Sequence, residues 1–388
     1  MTERGARPLK VAYVSESLLP HVDGVSRTLA QLFGYLERAG VDFHVLSPFT
    51  PPPEISWANR VETVPYVRVP VHPDYRMALP IGHKVSGRLA EYGPDLIHVV
   101  SPTPIAVRAQ KYGQRAGIPV VSSFHTHFVS YFRFYHLGRL ERFGWWLMKS
   151  FYARCEKVYA PSHAIIDELA GHGITNTELW SRGIDLARFS PRWRSAELRA
   201  SVGAGDDTPV LLMVSRLVKE KDLADLVEAD RILRERGADY RLVLVGDGPM
   251  RGELERALPH AHFAGHQTGE ALARWYASGD VFVFPSTTET FGNVIVEAQA
   301  SGLPAVVVDR GGPPDLVEHG RTGMIARAND PADLADNVQA LLADPAARRR
   351  MGCLAREAAA ERDWSAINGR LVESYRRVVE RYRAERGP

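Results

Sequence analysis

The chain is 388 residues long, with 45% hydrophobic and 24% charged residues and a formal net charge of +2. That length suggests roughly two or three domains, and the charge is too small to imply a nucleic-acid partner. Two cysteines, Cys155 and Cys353, lie far apart with no motif around them, which argues against a disulfide scaffold or a cysteine-based zinc site and fits a reducing cytoplasm. The apolar stretch after Lys10 is short and interrupted by Ser15, Glu16 and Ser17, so it does not read as a signal peptide. No run approaches the ~18 apolar residues of a membrane span, and any membrane contact is expected to be peripheral.

In chain order, Leu9–Val14 reads as the first strand. The loop Ser15–Gly24 follows, then a helix from about Val25 to Arg38, stopped by Gly40. Val41–Leu46 is a second strand, 48–60 is a Pro-rich irregular loop, and Val67–Val69 is a short strand. A helix is expected over 79–92. Strands at Asp95–Val100 and Pro119–Ser123 flank a helix over 104–116, and Lys157–Ala160 is another strand. This alternation predicts a doubly wound parallel sheet ending near residue 180. The stretch 181–208, with Arg182-Gly-Ile-Asp185, Pro191 and Gly203-Ala-Gly-Asp-Asp207, reads as the domain connection. A second alternation then begins: strand Val210–Ser215, helix 222–236, and strand Arg241–Val245 running into the tight-turn sequence Gly246-Asp-Gly-Pro249. Helices are expected over 331–361 and 365–385.

The most informative stretch is Pro285–Pro304. It follows the buried-strand pattern Val281-Phe-Val-Phe284, enters a helix closed by Gly302 and Pro304, and precedes the strand Ala305–Val308. This is one βαβ unit. Glu289 lies in its loop and Glu297 lies eight positions on in its helix. Glu289, Gly292 and the N–H groups near Asn293 would meet at the helix mouth, whose partial positive charge suits a phosphate. Glu297, about two turns deeper, could accept from vicinal hydroxyls such as those of a ribose. A nucleotide sugar fits this layout. Arg216 and Lys221 stand at the carboxyl end of a strand near a helix start, where cations do not serve the helix dipole but would serve a diphosphate. Lys219 is a nearby alternative and reads as a solvated surface lysine. Gly24 precedes a helix and would let a phosphate approach the backbone. His125 and His127 follow the strand 119–123, but no third ligand has partner spacing for a metal. The chain has no Asp-x-Asp.

The Glu289–Glu297 segment resembles the E-x7-E signature of retaining glycosyltransferases of family 4, with Phe291-Gly292 as its interior. The Glu-Thr-Phe-Gly-Asn and Ala-Ser-Gly-Leu-Pro sequences are most similar to bacterial lipid-directed, GDP-mannose-dependent mannosyltransferases and to sulfoquinovosyltransferases. The resemblance implies the α/β GT-B fold: two Rossmann-like doubly wound domains facing across a cleft, with a final helix crossing back to the first. The expected domains are 1–185 (acceptor), 186–364 (nucleotide-sugar donor) and 365–388 (that helix).

It also implies retaining transfer of a hexose, first of all mannose from GDP-mannose, to an acceptor hydroxyl on a lipid, glycolipid or glycan. Neither a cofactor nor a metal is expected. Arg216 and Lys221 would neutralise the leaving diphosphate, and Glu289 would hold sugar hydroxyls. His125, with His127 as fallback, would orient the sugar. Gly24, Phe291, Gly292, Asn293 and Glu297 would line the donor site. The expected mechanism is a same-face substitution in which the leaving phosphate helps deprotonate the acceptor. A UDP-hexose-dependent glucosyl- or sulfoquinovosyl-type transferase, a GT-B epimerase and a non-catalytic sugar-binding protein are the rival readings. The expected setting is cytoplasmic, with peripheral contact at the inner membrane face. Residues 124–152 hold eleven of the 35 aromatics, with Arg133, Arg139, Arg142 and Lys149 interleaved. Such a stretch suits a lipid interface, but filling the core or lining the acceptor pocket is the preferred expectation.

Overall fold

A computed structural model describes residues 8–69, 72–125 and 141–386. These form two compact units. The first comprises the described residues of Met1–Pro161, Ile165–Arg182 and Trp364–Pro388; the second comprises Ser162–Ala164 and Gly183–Asp363.

The first unit is built on a parallel seven-stranded sheet in the order β3-β2-β1-β6-β7-β8-β9. Its strands are β1 (Lys10–Val14), β2 (Asp42–Ser47), β3 (Val61–Thr63), β6 (Leu96–Val99), β7 (Val120–Ser123), β8 (Lys157–Ala160) and β9 (Thr177–Leu179). β4 (Tyr66–Val69) and β5 (His72–Ala78) pair separately as an antiparallel ribbon. One face of the sheet packs on α1 (Gly24–Arg38); the other packs on α2 (Gly82–Tyr92), α3 (Pro104–Ala116), α4 (Glu141–Tyr152) and α5 (His163–Gly171). α1 starts cleanly because Asp23 and Ser26 form a capping box, the Asp23 carboxylate accepting from the Ser26 N–H at 2.7 Å.

The second unit has a parallel six-stranded sheet in the order β12-β11-β10-β13-β14-β15. These are β10 (Val210–Val214), β11 (Arg241–Val245), β12 (His262–Gly265), β13 (Val281–Phe284), β14 (Ala305–Val308) and β15 (Gly323–Ala326). β10, β13 and β14 are buried along their whole length, which is why they read as unbroken apolar runs rather than alternating ones. The helices are α6 (Ala196–Ser201), α7 (Leu223–Glu235), α8 (Arg251–Ala257), α9 (Gly269–Ser278), α10 (Asn293–Ala300), α11 (Pro331–Ala343) and α12 (Pro345–Ala360). Pro345 splits the 331–361 region in two. The Asp344 carboxylate caps the second helix by accepting from the Ala346 and Ala347 N–H groups.

The last helix, α13 (Trp364–Arg386), follows the second unit in sequence but belongs to the first. It covers the α1 face of the first sheet with Ile367, Leu371, Val372, Tyr375, Val378 and Val379. Each such apolar side chain contributes roughly 1.5–3 kcal/mol when fully buried.

In both sheets the chain reverses direction of growth at the first strand: β1 lies between β2 and β6, and β10 between β11 and β13. Open α/β sheets bind ligands outside the carboxyl ends of the strands at such a switch point.

Candidate active site

The second unit assembles most of the candidate residues around the carboxyl ends of β10 and β13. The loop leaving β10 is clamped from beneath by the turn after β11. Gly246 has φ 142°, and a Cβ there would lie 1.8 Å from the Ser215 carbonyl oxygen. A Cβ on Gly248 would lie 2.4 Å from the Leu217 carbonyl oxygen. Ser215 N–H donates to Val245 C=O at 3.0 Å and Leu217 N–H to Asp247 C=O at 2.9 Å. Only glycine permits backbones so close, so the Gly246-Asp-Gly248 turn fixes the backbone that carries Arg216. The Arg216 side chain itself is 67% exposed, within 3.5 Å of Glu220, and free to swing to a ligand.

The loop then makes a short 3₁₀ turn, Lys219–Lys221, and passes through Asp222 in the left-handed region at φ 51°. The Asp222 carboxylate accepts from both N–H and Oγ1 of Thr287, each at 2.8 Å. Thr288 Oγ1 donates to Glu220 C=O at 2.8 Å. These bonds tie the β10 and β13 loops together and bring Lys221 onto Glu289, whose carboxylate it contacts directly. Lys219 points to solvent.

From the other side, the Gly311-Gly312 pair after β14 braces the Glu289 loop. Gly312 N–H donates to Glu289 C=O at 2.7 Å. A Cβ on Gly312 would lie 2.5 Å from Thr290 C=O, and one on Gly311 2.6 Å from Glu289 C=O. Phe291 is buried among the core residues with the Arg362 guanidinium 5.7 Å from its ring centre. It anchors the loop. Gly292, at φ 102°, turns the chain into α10 at Asn293, and among the described residues no side chain caps that helix. Its N-terminus carries the positive end of the helix dipole, which favours an anion. Glu297, inside α10, is 8% exposed, and its Oε2 accepts from Tyr276 O–H at 2.8 Å. That bond fixes the orientation of the carboxylate within α10.

The structure thus brings Arg216, Lys221, Glu289, Gly292, Asn293 and Glu297 to one end of one sheet. Gly24 and His125 lie in the first unit. Gly24 is the first residue of α1, directly after the capping Asp23, whose carboxylate also accepts from Ser17 O–H. His125 stands just beyond β7, and its two ring nitrogens contact Ser123 Oγ at 2.7 Å and the Arg182 guanidinium at 2.6 Å. Burial and the adjacent Arg182 cation hold its pKa well below the ordinary histidine value. His127, Arg133 and Arg139 lie outside the described residues.

Sequence reasoning missed several residues that build this site. Asp222, Gly311 and Gly312 work through backbone contacts between loops far apart in the chain. The Gly-Gly pair directly after a buried strand was the available signal. Tyr276, beside Glu297, carries no local signal, and neither does Arg182, beside His125 in the first unit.

Residues 22–188 match the model described as Glycosyltransferase Family 4, and residues 208–344 match the one described as Glycosyl transferases group 1. The chain is 34% identical over 377 residues to a GDP-mannose-dependent alpha-mannosyltransferase of Corynebacterium glutamicum, covering 96% of this chain and 90% of that protein. It is 35% identical to the protein of the same name from Mycolicibacterium smegmatis, covering 96% and 98%. It is 30% identical to the sulfoquinovosyl transferase SQD2 of Arabidopsis thaliana, covering 94% and 73%. Among solved structures, sucrose-phosphate synthase from Thermosynechococcus elongatus superposes with a TM-score of 0.77 at 23% identity, covering 95% of this chain and 99% of that one. Anabaena HepE in complex with UDP does so at 0.74 and 21%, covering 94% and 99%. The fold is GT-B, and the chain belongs to glycosyltransferase family 4. It is a glycosyltransferase.

Proposed function

We propose that this enzyme transfers mannose from GDP-mannose to an acceptor hydroxyl with retention of anomeric configuration and without a metal ion. The observation that carries the donor half is the Lys221–Glu289 contact at the open mouth of α10, with Glu297 deeper in the same helix. The mannosyltransferase names of its relatives, matched over nearly the full length of both chains, support guanine as the base and mannose as the sugar.

In this reading the diphosphate lies across the α10 N-terminus, and the Arg216 and Lys221 cations meet the charge that develops on it. Glu289, released from part of its contact with Lys221, accepts from sugar hydroxyls. Glu297 accepts from the ribose. The bond between the anomeric carbon and the phosphate oxygen breaks as the acceptor oxygen bonds to the same face, and the acceptor proton passes to the departing phosphate. Fixed cations stabilise that leaving group best when they are preorganised, which is what the bracing by Gly246, Gly248, Gly311 and Gly312 provides.

The acceptor we infer is a lipid or glycolipid reached by peripheral contact. Among the described residues no helix is long and apolar enough to cross a membrane. Exposed His83, Lys84 and Arg88 on α2, Arg108, Lys111 and Arg115 on α3, and Arg142 and Lys149 on α4 stand on one layer of the first unit. α4 adds exposed Phe143, Trp146 and Leu147. Cations around exposed aromatics suit an anionic bilayer surface. The same helix buries Trp145, Met148, Phe151 and Tyr152, so this part of the aromatic stretch serves core and surface together.

Similarity to a sulfoquinovosyl transferase favours a UDP-hexose donor as the second reading. A thermal-shift panel of GDP, UDP, ADP and their sugars, with and without EDTA, separates the two. A ligand at ~100 times its dissociation constant adds about 2.7 kcal/mol, a shift of a few degrees for this size. Selective stabilisation by GDP and GDP-mannose, unchanged by EDTA, is expected. Selectivity for UDP installs the second reading, EDTA sensitivity removes the metal-free mechanism, and no response to any nucleotide overturns both.

A further inference from the structure

Arg182 is an odd residue to find 5% exposed. Among the described residues no carboxylate pairs with it; its guanidinium donates to Trp180 C=O at 3.2 Å, lies 5.0 Å from the Trp180 ring centre, and meets His125 Nδ1 at 2.6 Å. Guanidinium nitrogens only donate, so His125 Nδ1 must be the acceptor and its proton must sit on Nε2.

A second line of contacts gives the same answer from the opposite side. Ser123 Oγ touches three groups: His125 Nε2 at 2.7 Å, His98 Nε2 at 3.0 Å and Val100 C=O at 3.4 Å. A hydroxyl has one proton and two lone pairs, and a carbonyl can only accept. The arrangement that satisfies all three contacts has Ser123 donating to Val100 and accepting from both imidazoles. Both histidines then carry the proton on Nε2. His98 Nδ1 is left to accept, and Tyr375 O–H, from α13, stands 2.6 Å away to donate. Tyr13 O–H follows, 3.3 Å from the Tyr375 oxygen. His98, Ser123 and Tyr375 are all at most 1% exposed. A buried polar chain in which every member is satisfied specifies one arrangement and penalises the rest.

We propose that Arg182 and the Ser123–His98–Tyr375 chain are positioning elements for sugar transfer, holding the His125 ring in one tautomer and one orientation. The proposal rests on the transferase reading for its consequence but not for its geometry. With both ring nitrogens engaged by the protein, His125 does not serve as a proton carrier; it is a fixed wall against which the sugar is oriented. Arg182 acts through His125. Among the described residues, the titratable groups around that ring include Arg182 on Nδ1 and His98 across Ser123, backed by Tyr13, Tyr159 and Tyr375.

The test uses the full chain labelled with ¹⁵N-histidine, with long-range ¹H–¹⁵N correlation of the rings. In the wild type, His98 and His125 should both show the neutral Nε2–H pattern, unchanged between pH 5.5 and 8. Arg182→Met should free the His125 ring, giving mixed tautomers and ordinary titration while leaving His98 unchanged. Arg182→Lys, which keeps a donor, should restore much of the wild-type pattern. Tyr375→Phe should perturb His98 first. In assays, Arg182→Met should lower kcat roughly ten- to a hundredfold, the scale of a misplaced positioning group, with donor KM within about twofold. An Nδ1–H tautomer or ordinary titration of His125 in the wild type overturns the chain. Mixed tautomers in Arg182→Met with unchanged kcat overturn its role in transfer. Absence of turnover in every form, with the wild-type spectrum as expected, counts against the transferase reading and leaves the hydrogen-bond chain standing.

Discussion

Among individual side chains, Arg216 is the sharpest test of the reaction. It is two-thirds exposed and pairs with Glu220 at 3.5 Å, an exposed contact that contributes little to folding. Its value would lie in charge that develops on the departing diphosphate. Arg216→Ala should therefore cut kcat about a hundredfold or more, while the midpoint of thermal unfolding moves by no more than about a degree. Near-normal turnover would remove Arg216 from the mechanism. His98 makes the opposite kind of prediction, about folding. Burial drives its pKa down from 6.5 to about 3. It is neutral when folded, while the unfolded chain takes up a proton below about pH 6.5. The unfolded state then binds more protons, so stability rises with pH across that window and is lost as pH falls toward 3. The slope is about 1.4 kcal/mol per pH unit for one such group, and His125, also depressed, adds in the same direction. Urea midpoints should fall steeply in the wild type as the pH is lowered from 7 to 5.5, and more gently in His98→Gln. Equal slopes would show that His98 keeps no such depressed pKa.

The loops around the site depend on glycines in a way that single substitutions expose. A Cβ on Gly246 would sit 1.8 Å from a backbone oxygen that cannot step aside without moving β10. Gly246→Ala should cost on the order of 1–3 kcal/mol and displace Arg216, so that both Tm and kcat fall. Gly40→Ala, also at a positive φ (66°, against 142° for Gly246) but with open space around its Cβ, should lower Tm through backbone strain alone and leave kcat unchanged. If both variants lose activity to the same extent, the bracing argument fails.

The βαβ unit of 281–308 was legible in sequence because each step has its own local signal: two fully buried strands, a left-handed glycine opening the helix and Gly302 closing it. Lys221 and Glu289 were legible as separate charges at strand ends. Their contact was not, because it depends on Asp222 catching Thr287, and such pairings leave no periodicity. Strands β9, β12 and β15 escaped for a related reason. They are short edge-side segments, only partly buried, without the unbroken apolar run that marked the central strands.

Within the first unit, α13 poses a question of which force fastens it there. Arg377 pairs with Glu178 at 2.9 Å, Arg381 with Glu156 at 3.0 Å and Arg383 with Asp95 at 2.5 Å. All three arginines are about half exposed or more, so each pair is worth roughly 0–1 kcal/mol and weakens with salt. Against them stand Leu371, Val372, Tyr375, Val378 and Val379, none more than 4% exposed. Removing one such leucine costs about 2–5 kcal/mol. Burial should win. Substituting all three arginines with glutamine should lower stability by at most ~3 kcal/mol, and 0.5 M salt should do little to the wild type. Leu371→Ala alone should cost more than the triple variant. Its damage should also reach the reaction: α13 carries Tyr375, and Tyr375 leads through His98 and Ser123 to His125. The Leu371→Ala protein should therefore show a disturbed His98 ring signal and a lower kcat at temperatures well below its unfolding midpoint, where the triple arginine variant shows neither. A triple variant less stable than Leu371→Ala would mean that the ion pairs, rather than the apolar face, fasten this helix to the sheet.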